Sequence, residues 1–320
     1  MAKVAFTYEI PEIAEKKLTE AGFELWINKE DRTLSHEEII ELAKNYDALI
    51  TLLSDNINKE IIEAGKGKLK IISNYAVGYN NIDVEAAKKA GIFVTNTPGV
   101  LSDATADLAW ALLFAVARKI VESDKFVREG NFVGWRPKLF LGYDIKGKTL
   151  GIIGMGRIGK EMAKRAKGFE MKVLYYKRNR LSENEEKNLG IEYADLKTLI
   201  KESDYISLHT PLTEETYHLL DEEEFSLMKP NTIIINTARG PVINEKVLIK
   251  YLKERKIAGA GLDVYEEEPK IPQELIELDN VVLTPHTGSA TFETRDKMAE
   301  MVAENIITAL KGEIPPNNVY

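Results

Sequence analysis

The sequence has no cysteine at all. A disulfide framework, a thiolate metal site and a cysteine nucleophile are therefore excluded, and the absence suits a reducing, cytoplasmic setting. There is no long hydrophobic run: the most apolar stretch, Leu108 to Ala117, is roughly half as long as a bilayer span needs, so no membrane partner is expected. There is no excess of basic residues either. The formal charge of -8 argues against a nucleic-acid binder, which carries a basic face or stripe. The start, "MAKVAFTYEIPEI", lacks a basic segment followed by an apolar core, so no secretory leader is expected. No internal repeat, low-complexity segment or flexible linker interrupts the chain.

What is present is ordinary for a soluble globular protein: 44% apolar and 29% charged residues over 320 positions, enough for two domains with sizeable cores. High charge without cysteine also occurs in heat-adapted proteins. Short β-branched runs ("KVAFTY", "FELWI", "ALIT", "LKIISNY", "IFVTN") alternate with amphipathic helical patterns. The alternation resumes in "TLGIIG", "KVLYY", "YISLHT", "TIIINT", "AGLDV" and "VVLTP". Near-continuous apolar strands separated by helices indicate parallel sheets covered on both faces. About eleven strands exceed one comfortable open sheet, so two doubly wound units are expected. A single long helix is expected from about Asp103 to Glu129, apolar nearly all round in its first half and hence buried there. The last helix, "TFETRDKMAEMVAENIITALKG", has no further strand to join and is expected to return to the first unit.

The run "GIIGMGRIG" (151–159) lies between a strand and a helix, the context that gives a GxGxxG pattern meaning. Gly154 allows the tight turn, Gly156 lets backbone approach a pyrophosphate, and Gly159 lets helix and strand pack closely. Arg157 and Ile158 open the helix, whose N-terminus offers free N–H groups to phosphate. In such folds an acid ending the next strand binds the ribose 2′-hydroxyl of NAD. Here "VLYYKRNR" (173–180) has no acid there and sets Lys177, Arg178, Asn179 and Arg180 around the place. A 2′-phosphate would be repelled by a carboxylate and suits the planar donor fork of Arg. The expected cofactor is NADP(H) first and NAD(H) second; a solvated basic turn is the ordinary alternative.

Three further stretches, "NTARGPVINE" (236–245), "GAGLDVYEEEP" (259–269) and "VVLTPHTGSA" (281–290), resemble signature segments of the D-isomer-specific 2-hydroxyacid dehydrogenases. "NYAVGYNNIDVEAA" (74–87) and "HTPLTEET" (209–216) match as well, so the resemblance covers essentially the whole chain. The cation-rich turn, "GWRPKLFLGYD" and the short C-terminus look most like the glyoxylate/hydroxypyruvate reductases within it. The resemblance implies Rossmann-like and flavodoxin-like parallel-sheet domains with a cleft between them that receives the substrate. The boundaries are expected at 1–99 plus 286–320 for the substrate domain and 100–285 for the dinucleotide-binding domain. It further implies Arg239 as the catalytic arginine, Glu268 as the acid and His286 as the proton carrier.

The chemistry asks for these types. A 2-keto acid sets a carboxylate beside a carbonyl, and a guanidinium fork can hold both. Hydride addition builds charge on the carbonyl oxygen, which an imidazolium can protonate near neutral pH with a carboxylate beside it. Taken singly, Arg239 could be a salt-bridge partner, Glu268 part of a solvated "EEE" run, and His286 a turn residue. His36, His209 and His218 read as structural. The resemblance also implies backbone N–H groups of Val77 and Gly78 on the substrate carboxylate, with Leu52 and Ser289 beside it and Trp135 capping the pocket. Thr105, Pro211, Thr237, Ala238 and Gly288 would touch the cofactor, and Asp263 would reach the nicotinamide carboxamide. No metal is implied. The apolar helix after Asp103 suggests a homodimer, and Trp135 could come from the partner subunit.

Alternatives within the family are an NAD-dependent D-lactate or other D-2-hydroxyacid dehydrogenase, a phosphoglycerate dehydrogenase, whose larger forms carry a regulatory domain, and a formate dehydrogenase, which has Gln where Glu268 stands. Outside enzymes, the alternative is a cofactor-sensing corepressor, which would bind the cofactor without turnover.

Overall fold

Every strand that forms pairs in parallel, as expected of apolar runs buried on both faces. A computed structural model describes residues 1–320, which divide into two units: Met1–Leu101 with Ser289–Tyr320, and Ser102–Gly288. The first unit holds β1 (Lys3–Phe6), β2 (Glu24–Ile27), β3 (Ala48–Thr51), β4 (Ile71–Asn74) and β5 (Phe93–Thr95), in the order β2-β1-β3-β4-β5. That is the flavodoxin-like order. Its core gathers Ala5, Leu49 and Ile72 from the strands with Ile39, Ile61 and Ile62 from the helices.

The second unit holds β6 (Thr149–Ile153), β7 (Lys172–Tyr176), β8 (Glu192–Tyr193), β9 (Tyr205–Leu208), β10 (Ile233–Asn236), β11 (Gly259–Leu262) and β12 (Val281–Leu283). Their order, β12-β11-β10-β9-β6-β7-β8, reverses direction between β6 and β9. A doubly wound sheet binds its ligand at such a reversal, beyond the carboxyl ends of the strands. One face packs Trp110 and Leu113 on Ile152 and Tyr175, and the other packs Phe225, Tyr251 and Leu252 on Ile206 and Ile234.

Three expectations change. The strand β8 was not anticipated, because two residues at a sheet edge carry no apolar run. The helix expected from Asp103 to Glu129 is two helices, Ser102–Ala117 and Ile120–Arg128, separated at Lys119, whose φ is 51°. The first buries a broad surface and the second buries none of its residues, so nothing holds the second half in line with the first. Finally, the chain passes between units at Leu101/Ser102 and Gly288/Ser289, not at 99/100 and 285/286. The turn carrying His286 stays with the second unit because Asp263 holds it there. Asp263 Oδ1 accepts from Thr287 N at 2.7 Å, and Asp263 Oδ2 accepts from Gly288 N at 2.8 Å.

The last helix, Phe292–Leu310, lies on the first unit. Tyr75 donates from its hydroxyl to Arg295 O at 2.7 Å, and Lys17 pairs with Glu304 at 3.2 Å. No helix is long and apolar enough to cross a membrane.

Candidate active site

The glycine loop joins β6 to the helix Arg157–Ala166 at the reversal of the sheet. Gly154 has φ +99°, and a Cβ there would stand 2.5 Å from His209 O, so both conformation and space require glycine. A Cβ on Gly159 would lie 2.3 Å from Gly154 O, which lets helix and strand close on each other. Gly156 differs: nothing lies within 4 Å of a Cβ built there, so this side of the loop is open for a ligand. Two buried polar atoms at neighbouring strand ends, His209 Nδ1 and Thr237 Oγ1, have no hydrogen-bond partner in the protein. Open space, a helix N-terminus led by Arg157 and Ile158, and these two orphaned atoms together fit a pyrophosphate-linked nucleotide. His209 itself is neutral, because burial pushes its imidazole down to about 3; its Nε2 meets Ser207 Oγ at 2.8 Å.

The cations after β7 are not equivalent. Arg180 makes two hydrogen bonds of 2.8 Å to the Glu186 carboxylate and lies over the Tyr193 ring. Tyr175 donates to the same carboxylate at 2.6 Å. Arg180 and Tyr175 hold Glu186 down at about 2. Arg178 is exposed and pairs only with Glu215, also exposed, at 2.7 Å. Lys177 and Asn179 complete the turn. Pro211 follows β9, exposed, its carbonyl accepting from Thr216 Oγ1 at 2.6 Å.

Arg239, Glu268 and His286 come from three successive strand ends, those of β10, β11 and β12. His286 Nδ1 meets Glu268 Oε2 at 2.9 Å, and Glu268 Oε1 accepts from Tyr265 N at 3.0 Å. Burial pushes the Glu268 carboxyl up, but His286, the Tyr265 N–H and the charge of Arg239 outweigh it, leaving the group below its usual range. Burial lowers the Arg239 guanidinium, and the nearby Glu268 charge acts against that. His286 has φ 53°, a left-handed conformation that few residues other than glycine adopt. It is held by its own N–H donating to Asp263 O at 3.0 Å and by the Asp263 carboxylate on the two residues that follow. Asp263 thus anchors the histidine turn, a role beyond the carboxamide contact expected for it. A Cβ on Gly288 would lie 3.2 Å from Asp263 Oδ2 and 3.3 Å from Thr105 Cγ2, so these three residues meet.

Two supports were missed in the sequence. Asn236 Nδ2 donates to Arg239 O at 3.0 Å while its Oδ1 accepts from Ala238 N at 3.0 Å, bracing the "TAR" turn from beneath. An Asn ending a strand just before a turn is the available signal, since its side chain bonds backbone two residues on. Gly240 is the other: a Cβ there would stand 1.9 Å from the Tyr265 carbonyl, so the arginine loop rests directly on the glutamate loop. The remaining two histidines are each paired with a carboxylate, His36 with Glu60 at 3.0 Å and His218 with Glu266, two residues before Glu268, at 2.8 Å.

In the first unit, Leu52, Val77 and Gly78 lie just beyond the carboxyl ends of β3 and β4 and are half-buried. The Ser289 carbonyl accepts from Arg295 Nε at 3.3 Å. Trp135 is 83% exposed.

A glycine loop at the reversal of a parallel sheet defines a doubly wound dinucleotide-binding protein. Residues 110–288 match the model of the D-isomer specific 2-hydroxyacid dehydrogenase, NAD binding domain, and the chain belongs to that family. It is 58% identical to the glyoxylate reductase of Thermococcus litoralis over 99% of this chain and 96% of that protein. Among solved structures it resembles the TT0316 protein of Thermus thermophilus, at 43% identity and a TM-score of 0.94 over 99% of this chain and 100% of that one. It also resembles the NADPH-dependent glyoxylate/hydroxypyruvate reductase of Sinorhizobium meliloti, solved with NADP and malonate. That likeness has 28% identity and a TM-score of 0.87 over 99% of this chain and 96% of that one.

Proposed function

We propose that this protein reduces glyoxylate or hydroxypyruvate to the corresponding 2-hydroxy acid, glycolate or D-glycerate, with NADPH preferred over NADH. The observation that carries the chemistry is the 2.9 Å contact between His286 Nδ1 and Glu268. A carboxylate on Nδ1 fixes the orientation of the ring and leaves Nε2 to give a proton to the substrate. Arg239 binds the keto acid through its guanidinium fork and polarises the carbonyl. Val77 and Gly78 N–H groups take the carboxylate, with Leu52 and Ser289 beside it. The bound nicotinamide supplies the hydride. Gly154, Gly156, Gly159, Thr105, Thr237, Ala238 and Gly288 would hold the cofactor, and Asp263 would fix the turn that carries the proton donor.

The preference for NADPH rests on the absence of an acid after β7 and on Arg178. An exposed pair such as Arg178–Glu215 is worth little in water, so a phosphate dianion can take the guanidinium from it. The protein is further proposed to work as a homodimer, whose interface is formed by the exposed apolar arm around Val133 and Trp135, which are 86% and 83% exposed.

The test is a panel of 2-keto acids with each cofactor, followed at the reduced-nicotinamide absorbance. Turnover of glyoxylate and hydroxypyruvate, faster with NADPH at low cofactor concentration, is expected. Cofactor binding without turnover of any keto acid would instead indicate a cofactor sensor.

A further inference from the structure

The first unit contains a polar network at the ends of its strands that the Arg–Glu–His set does not use. Asn96, just after β5, donates from Nδ2 to Val77 O at 2.8 Å. Thr97 N donates to Ala76 O at 2.8 Å. In a trans peptide the carbonyl of one residue and the N–H of the next point in opposite directions. Holding Ala76 O therefore aims the Val77 N–H, and holding Val77 O aims the Gly78 N–H. Neither of these N–H groups meets an acceptor within the unit, whereas the neighbouring ones do: Tyr75 N donates to Thr51 O and Ala76 N to Asn74 O, both at 2.8 Å. Two adjacent N–H groups, fixed from behind and unpaired in front, form the kind of concavity that receives an anion.

The rest of the network stiffens this arrangement. Asn74 Nδ2 donates to Gly78 O at 2.8 Å, and its Oδ1 accepts from Thr51 Oγ1 at 3.0 Å. Asn81 Nδ2 donates to Leu52 O and Asp55 O, each at 3.0 Å. The Asn96 clamp is the one bond in this set that reaches the Val77 carbonyl.

We infer that Asn96 is a positioning residue for the substrate carboxylate, acting through the Val77 carbonyl to aim the Gly78 N–H. The inference rests on the functional reading above, in which Val77 and Gly78 take that carboxylate. Asn96 touches no reacting atom. Its removal should weaken keto-acid binding and leave cofactor binding alone, since the residues proposed to hold the nucleotide belong to the other unit.

The test uses the full-length protein with Asn96→Ala and Asn96→Asp. Steady-state constants for glyoxylate, the Ki of oxamate as a non-reducible stand-in, and the Kd of NADPH are measured for each. In Asn96→Ala, KM and the oxamate Ki should rise together by roughly three- to tenfold, the value of one ordinary hydrogen bond, with the NADPH Kd unchanged. In Asn96→Asp, an ionised carboxylate would face the Val77 carbonyl and repel it. A protonated one can donate to it. The KM of Asn96→Asp relative to wild type should therefore fall as pH is lowered from about 7.5 to about 5, toward the carboxyl range, while the Asn96→Ala ratio stays flat. An unmoved KM and Ki in Asn96→Ala, equal losses of NADPH affinity, or no recovery of Asn96→Asp at low pH would each overturn the inference while wild-type turnover stands. A wild type that reduces no keto acid and binds no oxamate would overturn the functional reading, and this inference with it.

Discussion

His286 carries its imidazole on a backbone with φ 53°, and two groups of Asp263 hold it there through three hydrogen bonds: a carbonyl on the histidine N–H and a carboxylate on the N–H groups of the next two residues. A side chain meant only to fill a turn would not need that support. His286→Ala is expected to lower kcat by roughly 10²–10⁴, the contribution of a general acid. Glu268→Gln keeps a hydrogen-bonding side chain but removes the charge beside His286 Nδ1, so kcat for glyoxylate reduction should fall while the NADPH Kd stays unchanged. A Glu268→Gln variant with wild-type kcat would return Glu268 to the solvated acidic run. Glu268 also bears on stability. Its carboxyl is lowered in the folded protein, so its contribution is present above the ordinary carboxylate range and is lost as pH falls through the depressed value. Gly240 is the second prediction at this scale. The Cβ of Gly240→Ala would sit 1.9 Å from the Tyr265 carbonyl and must push the arginine and glutamate loops apart. A loss of roughly 10²-fold in kcat/KM is expected, the consequence of an ångström of misplacement, with circular dichroism showing a folded protein.

At the scale of elements, the turn after β7 separates two arginines that look alike in the sequence. Arg180 is tied to Glu186, which also takes the Tyr175 hydroxyl, and burial together with that bond pushes Tyr175 up to about 12. Arg178 has only its exposed partner Glu215. Arg178→Ala should therefore raise the Kd of NADPH by roughly tenfold or more, as loss of a charge-assisted contact does, leaving NADH nearly unchanged and the melting temperature intact. Arg180→Ala should lower the melting temperature as well, because the buried Glu186 and Tyr175 lose their cation. The double variant should lose NADPH selectivity. Equal losses for NADPH and NADH in Arg178→Ala would refute the phosphate assignment. The glycine loop and the alternation of strand and helix were legible because each follows from a local requirement: a period, a turn, a close approach. The division of labour between Arg178 and Arg180 was not, because it depends on a carboxylate on the next helix and on a ring from β8, an edge strand too short to announce itself.

For the whole molecule, the helix Ile120–Arg128 and the segment up to Tyr143 place Val121, Val127, Phe132, Val133, Trp135 and Leu141 on the surface. An apolar arm of this length on a lone chain is a liability unless another surface covers it. Light scattering at micromolar concentration is expected to give a mass of two chains, and Val133→Asp combined with Trp135→Asp should give one. A monomeric wild type would remove the dimer from the proposal and leave the arm without an occupant.

The sequence by itself determined the doubly wound class and the glycine loop, because these rest on local periodicity and on a turn whose residues are close together in the chain; the three residues of the proposed chemistry came from the resemblance of their segments to the family's signature segments. Tertiary structure decided what those residues lean on. Asp263 under His286, Asn236 and Gly240 under Arg239, and Asn96 behind Val77 are contacts between strand ends brought together by the parallel sheets. It also decided where the units divide: hydrogen bonds from residues 286–288 to Asp263 keep His286 with the second unit. Such bonds join positions far apart in the chain and have no period, so only the folded chain contains them.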